Sequence, residues 1–197
     1  MTNIRKPSRA RGEERRRDLL EAVIRVLARE GARGVTLRAV ADEAGAAHGS
    51  AHYYFATQDD MLVEALRSII AREVAETDDL VSAASGQSPW PRLAAYLAGR
   101  MIKRRDSELA RYELFLDAAR RPRLRAPLRA WGETYVRLLQ RALERSGSRH
   151  AEADANALLN LINGLMLQQL AAPQPTFERD ILLPAIEAFA AGRRSRG

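Results

Sequence analysis

The chain has 197 residues, 46% of them apolar and 29% charged, with a formal charge of +7 and no cysteine. That length supplies one domain of moderate size or a small domain fused to a larger one, with ample apolar material for a core. No run reaches the roughly 18 uninterrupted apolar residues of a membrane span, and no apolar stretch of a secretory signal follows the basic start, so a cytoplasmic protein is expected. The lack of cysteine excludes disulfides, thiolate metal sites and thiol nucleophiles without identifying a compartment.

Seven of the first seventeen residues are Arg or Lys against two Glu, a basic arm whose Arg9 and Arg11 suit phosphate contacts that weaken steeply with salt. A first helix is expected from about Glu13 to Glu30, with Leu20, Val23, Ile24 and Leu27 inward and Gly31 and Gly34 ending it. Thr36 to Phe55 then reads as two short helices around a glycine turn. Leu37, Val40, Ala41 and Ala44 recur at helical steps behind Thr36, a hydroxyl able to cap the helix, and Gly45 stops it. The residues that follow offer Ser50, His52, Tyr53 and Tyr54 with only small residues between them. Small residues permit close approach and polar ones reach base edges and phosphates, which is the pattern of a helix-turn-helix entering a major groove. A generic helical hairpin is the plainer alternative.

Thr57 and Asp60 open a long fourth helix, expected to reach Val81, with Leu62, Ala65, Leu66, Ile69 and Ile70 on its apolar face. Ser82 to Trp90 is a loop, and Ser88-Pro89 starts a helix running to about Arg104. A sixth helix fits Asp106 to Arg120. Pro122 and Pro127 are expected to break the chain before a seventh helix carrying Leu128, Trp131, Tyr135, Leu138 and Ala142, which Ser146-Gly147 ends. The eighth, about Ala151 to Ala171, is apolar on more than one face and so needs neighbours on several sides. Ile181, Leu182, Ala185, Ile186 and Phe189 make a ninth, with a kink or late start at Pro184. Every periodic segment is helical in step and the fold class is all-α. The second basic zone, Arg100, Lys103, Arg104 and Arg105 followed by Arg120, Arg121, Arg123, Arg125 and Arg129, reads as solvated charge complementing helix ends, with an anion site as the alternative.

With the basic arm, the turn and the capped long helix in this order, the first third of the chain resembles the TetR family of bacterial transcriptional regulators. The residues that stand at the positions of the family pattern are Thr36-Leu37-Arg38-Ala39-Val40-Ala41, then Ala44 through Phe55, then Gln58 and Met61-Leu62. Four residues depart from the family pattern: Ala47 for a capping Ser, Ala51 for a bulky apolar residue, His52 for Tyr, and Gln58 for a Lys opening helix four. The resemblance implies a DNA-binding domain over 1–57 and an effector-binding, dimerising helical domain over 58–197. It implies a homodimeric repressor whose recognition helices enter successive grooves of a palindromic operator in double-stranded DNA, about 34 Å apart. The implied DNA-contacting set is Arg9, Arg11, Thr36, Arg38, His48, Gly49, Ser50, His52, Tyr53, Tyr54 and Gln58.

Helices eight and nine would form the dimer interface through Leu158, Leu159, Ile162, Met166, Ile181, Ile186 and Phe189, which also accounts for the several apolar faces of helix eight. A small, largely apolar or aromatic effector would sit among helices four to eight, against Tyr96, Met101, Tyr112, Phe115, Trp131 and Tyr135, with Glu113, Asp117 and Asn163 as polar groups that orient it. Ordinary core packing is the alternative for each aromatic. An effector-less DNA-binding or adaptor protein of the same fold would have them packed solid.

A small helical enzyme is the remaining reading, and the residues do not support it. His48 and His52 stand four apart on one helix with no third ligand in register, and His150 lies far along the chain with no triad to join. There is no phosphate-cradling glycine loop. No cofactor and no metal are expected.

Overall fold

The computed structural model describes residues 9–82 and 88–193, and among them nine α-helices and no strand. In chain order these are α1 (Arg9–Gly34), α2 (Leu37–Glu43), α3 (His48–Tyr54), α4 (Gln58–Ser82) and α5 (Trp90–Lys103), then α6 (Arg105–Asp117), α7 (Pro122–Arg145), α8 (Ala151–Ala171) and α9 (Leu183–Gly192). The side chains of Arg9 and His48 lie outside the described residues.

Local chemistry sets the boundaries. Helix α1 outruns its expected end because the chain kinks rather than stops at Gly31, whose φ of 69° is open to glycine at little steric cost. Thr36 caps α2, its Oγ1 accepting from the Ala39 amide at 3.1 Å, and the Thr57 hydroxyl accepts from the Asp60 amide at the same distance to open α4. The expected break at Pro122 and Pro127 does not occur. Pro122 starts α7, where a missing N–H costs nothing, and Pro127 is absorbed early in the helix, forgoing one ladder hydrogen bond. Pro184 falls in the first turn of α9 behind a π-helical turn at Glu178–Leu182, so that helix does start late.

Two apolar cores result. The first joins Leu19, Val23 and Leu27 of α1 to Val40, Ala41, Ala51 and Phe55, and is completed by Met61 to Ile69 of α4 and by Ala110, Leu114 and Leu124 from far along the chain. The second lies among α5, α7, α8 and α9, with Trp90, Leu97, Trp131, Leu139, Leu158, Met166 and Ile186 inside. The first core therefore draws side chains from both sides of residue 57. Helix α4 runs from one core to the other, Ile70 touches both, and α6 lies against α1 as its most extensive neighbour.

Candidate nucleic-acid interface and inner chamber

Helix α3 is held from behind by Ala51, which is fully buried, and by Phe55, so its other side is left to solvent. The residue that replaces the bulky apolar one, Ala51, is thus the seat on which α3 packs into the first core beside α2. Gly49 and His52 are exposed, Ser50 is half-buried, and Tyr53 is 80% exposed, the projection expected of a group that meets a partner. Ala47 supplies no side-chain cap to α3. Arg38 is exposed beside α3 with only a 3.8 Å approach to Asp42, and Arg11 and Thr36 are exposed as well.

Two residues expected to meet DNA are occupied within the chain. The Tyr54 hydroxyl donates to the Gly12 carbonyl at 3.2 Å, tying α3 to the start of α1. Gln58 is half-buried: its Nε2 donates to the carbonyls of Ala32 at 3.0 Å and Val35 at 2.8 Å, and its Oε1 accepts from Arg121 at 3.1 Å. A lysine could not accept that last bond, so glutamine here is a joint between the end of α1, the start of α4 and the turn before α7. Arg121 extends the joint to Asp59 at 2.6 Å and Asp117 at 3.2 Å, and Arg123 reaches Asp60 at 2.6 Å. Much of the second basic zone is therefore ion-paired. Gln58→Ala is expected to lower stability by about 1–3 kcal/mol, the cost of orphaning half-buried partners, while the slope of DNA affinity against salt stays that of the native chain. Chemical denaturation together with binding titrations at several salt concentrations checks both.

The second core carries charge: sequence reasoning passed over Glu73, Glu108 and Arg111 and read Arg100 as solvated, whereas Arg100 is buried and ion-paired inside the core. Glu73 of α4, Arg100 of α5, and Glu108 and Arg111 of α6 meet in its interior, each no more than 5% exposed. Arg100 donates through Nε to Glu108 at 2.7 Å and bonds both Glu73 and Glu108 through Nη2. Arg111 donates to Glu108 at 2.9 Å and approaches Glu73 at 3.5 Å without bonding it. Two carboxylates and two guanidiniums make a neutral set, the condition for tolerating such burial. Burial pushes both carboxyl pKa values up. At Glu73 burial prevails and the value is raised; at Glu108 the two guanidiniums outweigh it and hold the carboxyl below its ordinary range. The signal was present in the register, since Leu66, Ile69, Glu73 and Thr77 share one inward stripe of α4, and Arg100 stands between the inward Leu97 and Met101.

Beside this quartet lies a cavity of about 20 Å³, walled by Trp131, Tyr135, Leu159, Ile162, Asn163 and Met166 among others. It is water-sized. Of the expected effector contacts, Trp131, Tyr135 and Asn163 line it. Met101 packs in the core without reaching it, and Tyr112 donates its hydroxyl to the Asn163 carbonyl at 2.9 Å. Tyr96 faces a separate groove between α4 and α5, where its hydroxyl bonds Glu76 at 2.9 Å and burial pushes its pKa up to about 12. Phe115 is half exposed on the rim of a larger groove of about 710 Å³ between α6, α7 and α8. Asp117 turns to Arg121, and Glu113 is exposed near Gly31, so neither orients anything in the chamber.

The expected dimer residues Leu158, Leu159, Ile162, Met166 and Ile186 are buried inside the protomer's own core, where no second chain can reach them; Ile181 and Phe189 are half-buried. The 3.6-residue period leaves a different stripe of α8 outward: Ala157, Asn160, Leu161, Gly164, Leu167 and Gln168. The outward stripe mixes Ala157, Leu161 and Leu167 with the amides of Asn160 and Gln168, and packing decides that the protomer uses the other one.

No group of three potential metal ligands occurs among the described residues, and no described helix is long and apolar enough to cross a membrane. Residues 19–65 match the family described as bacterial regulatory proteins, tetR family. Residues 90–192 match the family described as tetracyclin repressor-like, C-terminal domain. The nicotine-responsive transcriptional repressor HdnoR of Paenarthrobacter nicotinovorans is 24% identical over 182 residues, 89% of this chain and 94% of that protein. Among solved structures, the multidrug binding protein EbrR in complex with ethidium is 33% identical, with a TM-score of 0.68 over 89% of this chain and 98% of that one. A TetR-family member from Streptomyces coelicolor A3 is also 33% identical, with a TM-score of 0.73 over the same shares.

Proposed function

The chain belongs to the TetR family of DNA-binding transcription regulators, and we propose that it acts as a homodimeric repressor of a palindromic operator, released when a small aromatic effector enters the chamber beside Glu73. The observation that carries the reading is the outward face of α3, where His52 and Tyr53 stand free while Ala51 and Phe55 behind them are buried. Groups so presented reach base edges and phosphates once the helix lies in a major groove. The outward stripe of α8, with Gly164 and Ala157 allowing close approach, supports a symmetric partner there.

An aromatic effector is supported by the ring-lined chamber and by the relatives: EbrR has been crystallised with ethidium and with proflavin, and HdnoR is nicotine-responsive. Release follows if the ligand favours one spacing of the two recognition helices over another, with α4 and α6 carrying the change to α1. The test is fluorescence anisotropy on DNA flanking the coding region, with light scattering for stoichiometry. Two chains per near-palindrome with a steep salt dependence is the expected result. A monomer that binds no duplex better than random sequence overturns the reading.

A further inference from the structure

Arg111 sits where a ligand would sit. Its guanidinium carbon lies 4.2 Å from the centre of the Tyr112 ring and 5.4 Å from that of Trp131. One edge of the guanidinium donates to Glu108, and its Nε, although buried, makes no hydrogen bond at 3.5 Å from Glu73. The Trp131 indole N–H faces the Glu73 carboxylate and likewise falls short of hydrogen-bond geometry. Two aromatic faces and two carboxylates around one flat cation form a cage of the kind that recognises planar cations through ring quadrupoles and charge.

Of the two buried arginines, Arg111 is the displaceable one. Arg100 bonds both carboxylates and lies within 3.5 Å of the Tyr135 hydroxyl, whereas Arg111 leaves a donor unused. The adjoining cavity of about 20 Å³ and the outer groove of about 710 Å³ share three wall residues, Trp131, Leu159 and Asn163, so these side chains are all that separates the two spaces along that wall.

Resting on the reading of this chamber as the effector site, we propose that the cage of Glu73, Glu108, Tyr112 and Trp131 is a site for a planar aromatic or amidinium-type monocation, and that Arg111 occupies it as a tethered substitute until such a cation displaces it. Charge is conserved in the exchange: one cation leaves the two carboxylates and one enters. Because Arg111 is carried by α6, and α6 packs along α1, the exchange moves a helix that bears on the DNA-reading domain.

The test uses proflavin as probe, followed by its own fluorescence, on the full chain. Arg111→Met empties the cage and should bind proflavin at least about tenfold tighter than the native chain. Millimolar methylguanidinium should raise the melting temperature of Arg111→Met and not that of the native protein. Adding Glu73→Gln to that variant should abolish the gain. If Arg111→Met does not fold, Arg111→Lys, which keeps the charge but loses the planar fork, should still bind proflavin several-fold tighter than the native chain. Unchanged proflavin affinity in the folded variants, or a gain that survives Glu73→Gln, overturns the proposal. Operator affinity measured in parallel separates the two readings: cation binding without release of DNA leaves the site standing and removes the effector mechanism, and operator binding with no cation uptake does the reverse.

Discussion

Arg100→Met is expected to lower the unfolding free energy by about 3–5 kcal/mol, the cost of leaving a buried charge without its partner. For a chain of this size that lowers the melting temperature by about 6–20 °C. The magnitude follows from what Arg100 holds: it bonds Glu73 and Glu108 together, and without it a single guanidinium faces two carboxylates, one of which it approaches only at 3.5 Å. Glu73 can relieve the excess by taking up a proton, and burial already raises its pKa in the native chain. A carboxyl whose folded pKa lies above its unfolded value stabilises the fold most below the unfolded value and loses that contribution as pH rises through the folded one. The deficit of Arg100→Met should therefore be smaller near pH 5 than near pH 8. Adding Glu73→Gln restores charge parity and should recover part of the loss, a coupling that a double-mutant cycle by chemical denaturation reads directly. Equal deficits at both pH values, or additive losses, would mean that the quartet is not the coupled unit described.

Replacing both His52 and Tyr53 by Ala should weaken operator binding at least about thirtyfold, since good base-edge contacts are each worth about 1–3 kcal/mol. Stability should stay within about 0.5 kcal/mol of the native chain, because exposed residues away from special structure rarely contribute more. Tyr53 touches little within the protein beyond an edge-on contact with Tyr54 at 5.0 Å between ring centres. Arg38→Ala should behave differently, weakening all duplexes alike and reducing the salt slope by about one, as loss of a phosphate contact does. Retained operator affinity in the double variant, with the melting temperature unmoved, would show that α3 does not read DNA. The contrast with Gln58→Ala is the useful one: a joint inside the protein registers in stability, and a groove-facing side chain registers in affinity.

Helix content, order and most boundaries were legible in the chain because they depend on neighbours in sequence. The stripe Leu20, Val23, Ile24 and Leu27, the capping hydroxyls of Thr36 and Thr57, and the late start at Pro184 are settled within a turn or two of helix. The small-then-polar pattern from Gly49 to Tyr54 was legible for the same reason, and it lies inside the span of the matched family. What tertiary structure alone decided involves residues far apart in sequence. Gln58 became an internal joint through Arg121, 63 positions away, and Tyr54 through Gly12, 42 positions away. Helix α8 carries leucines on both its stripes, and α5, α7 and the turn before α9 settle which one faces inward. Glu73, Arg100, Glu108 and Arg111 each interrupt an apolar face, an unfavourable choice when taken singly. Only when three helices bring them together do their charges cancel and the burial become tolerable, because Coulomb attraction depends on separation in space and not along the chain.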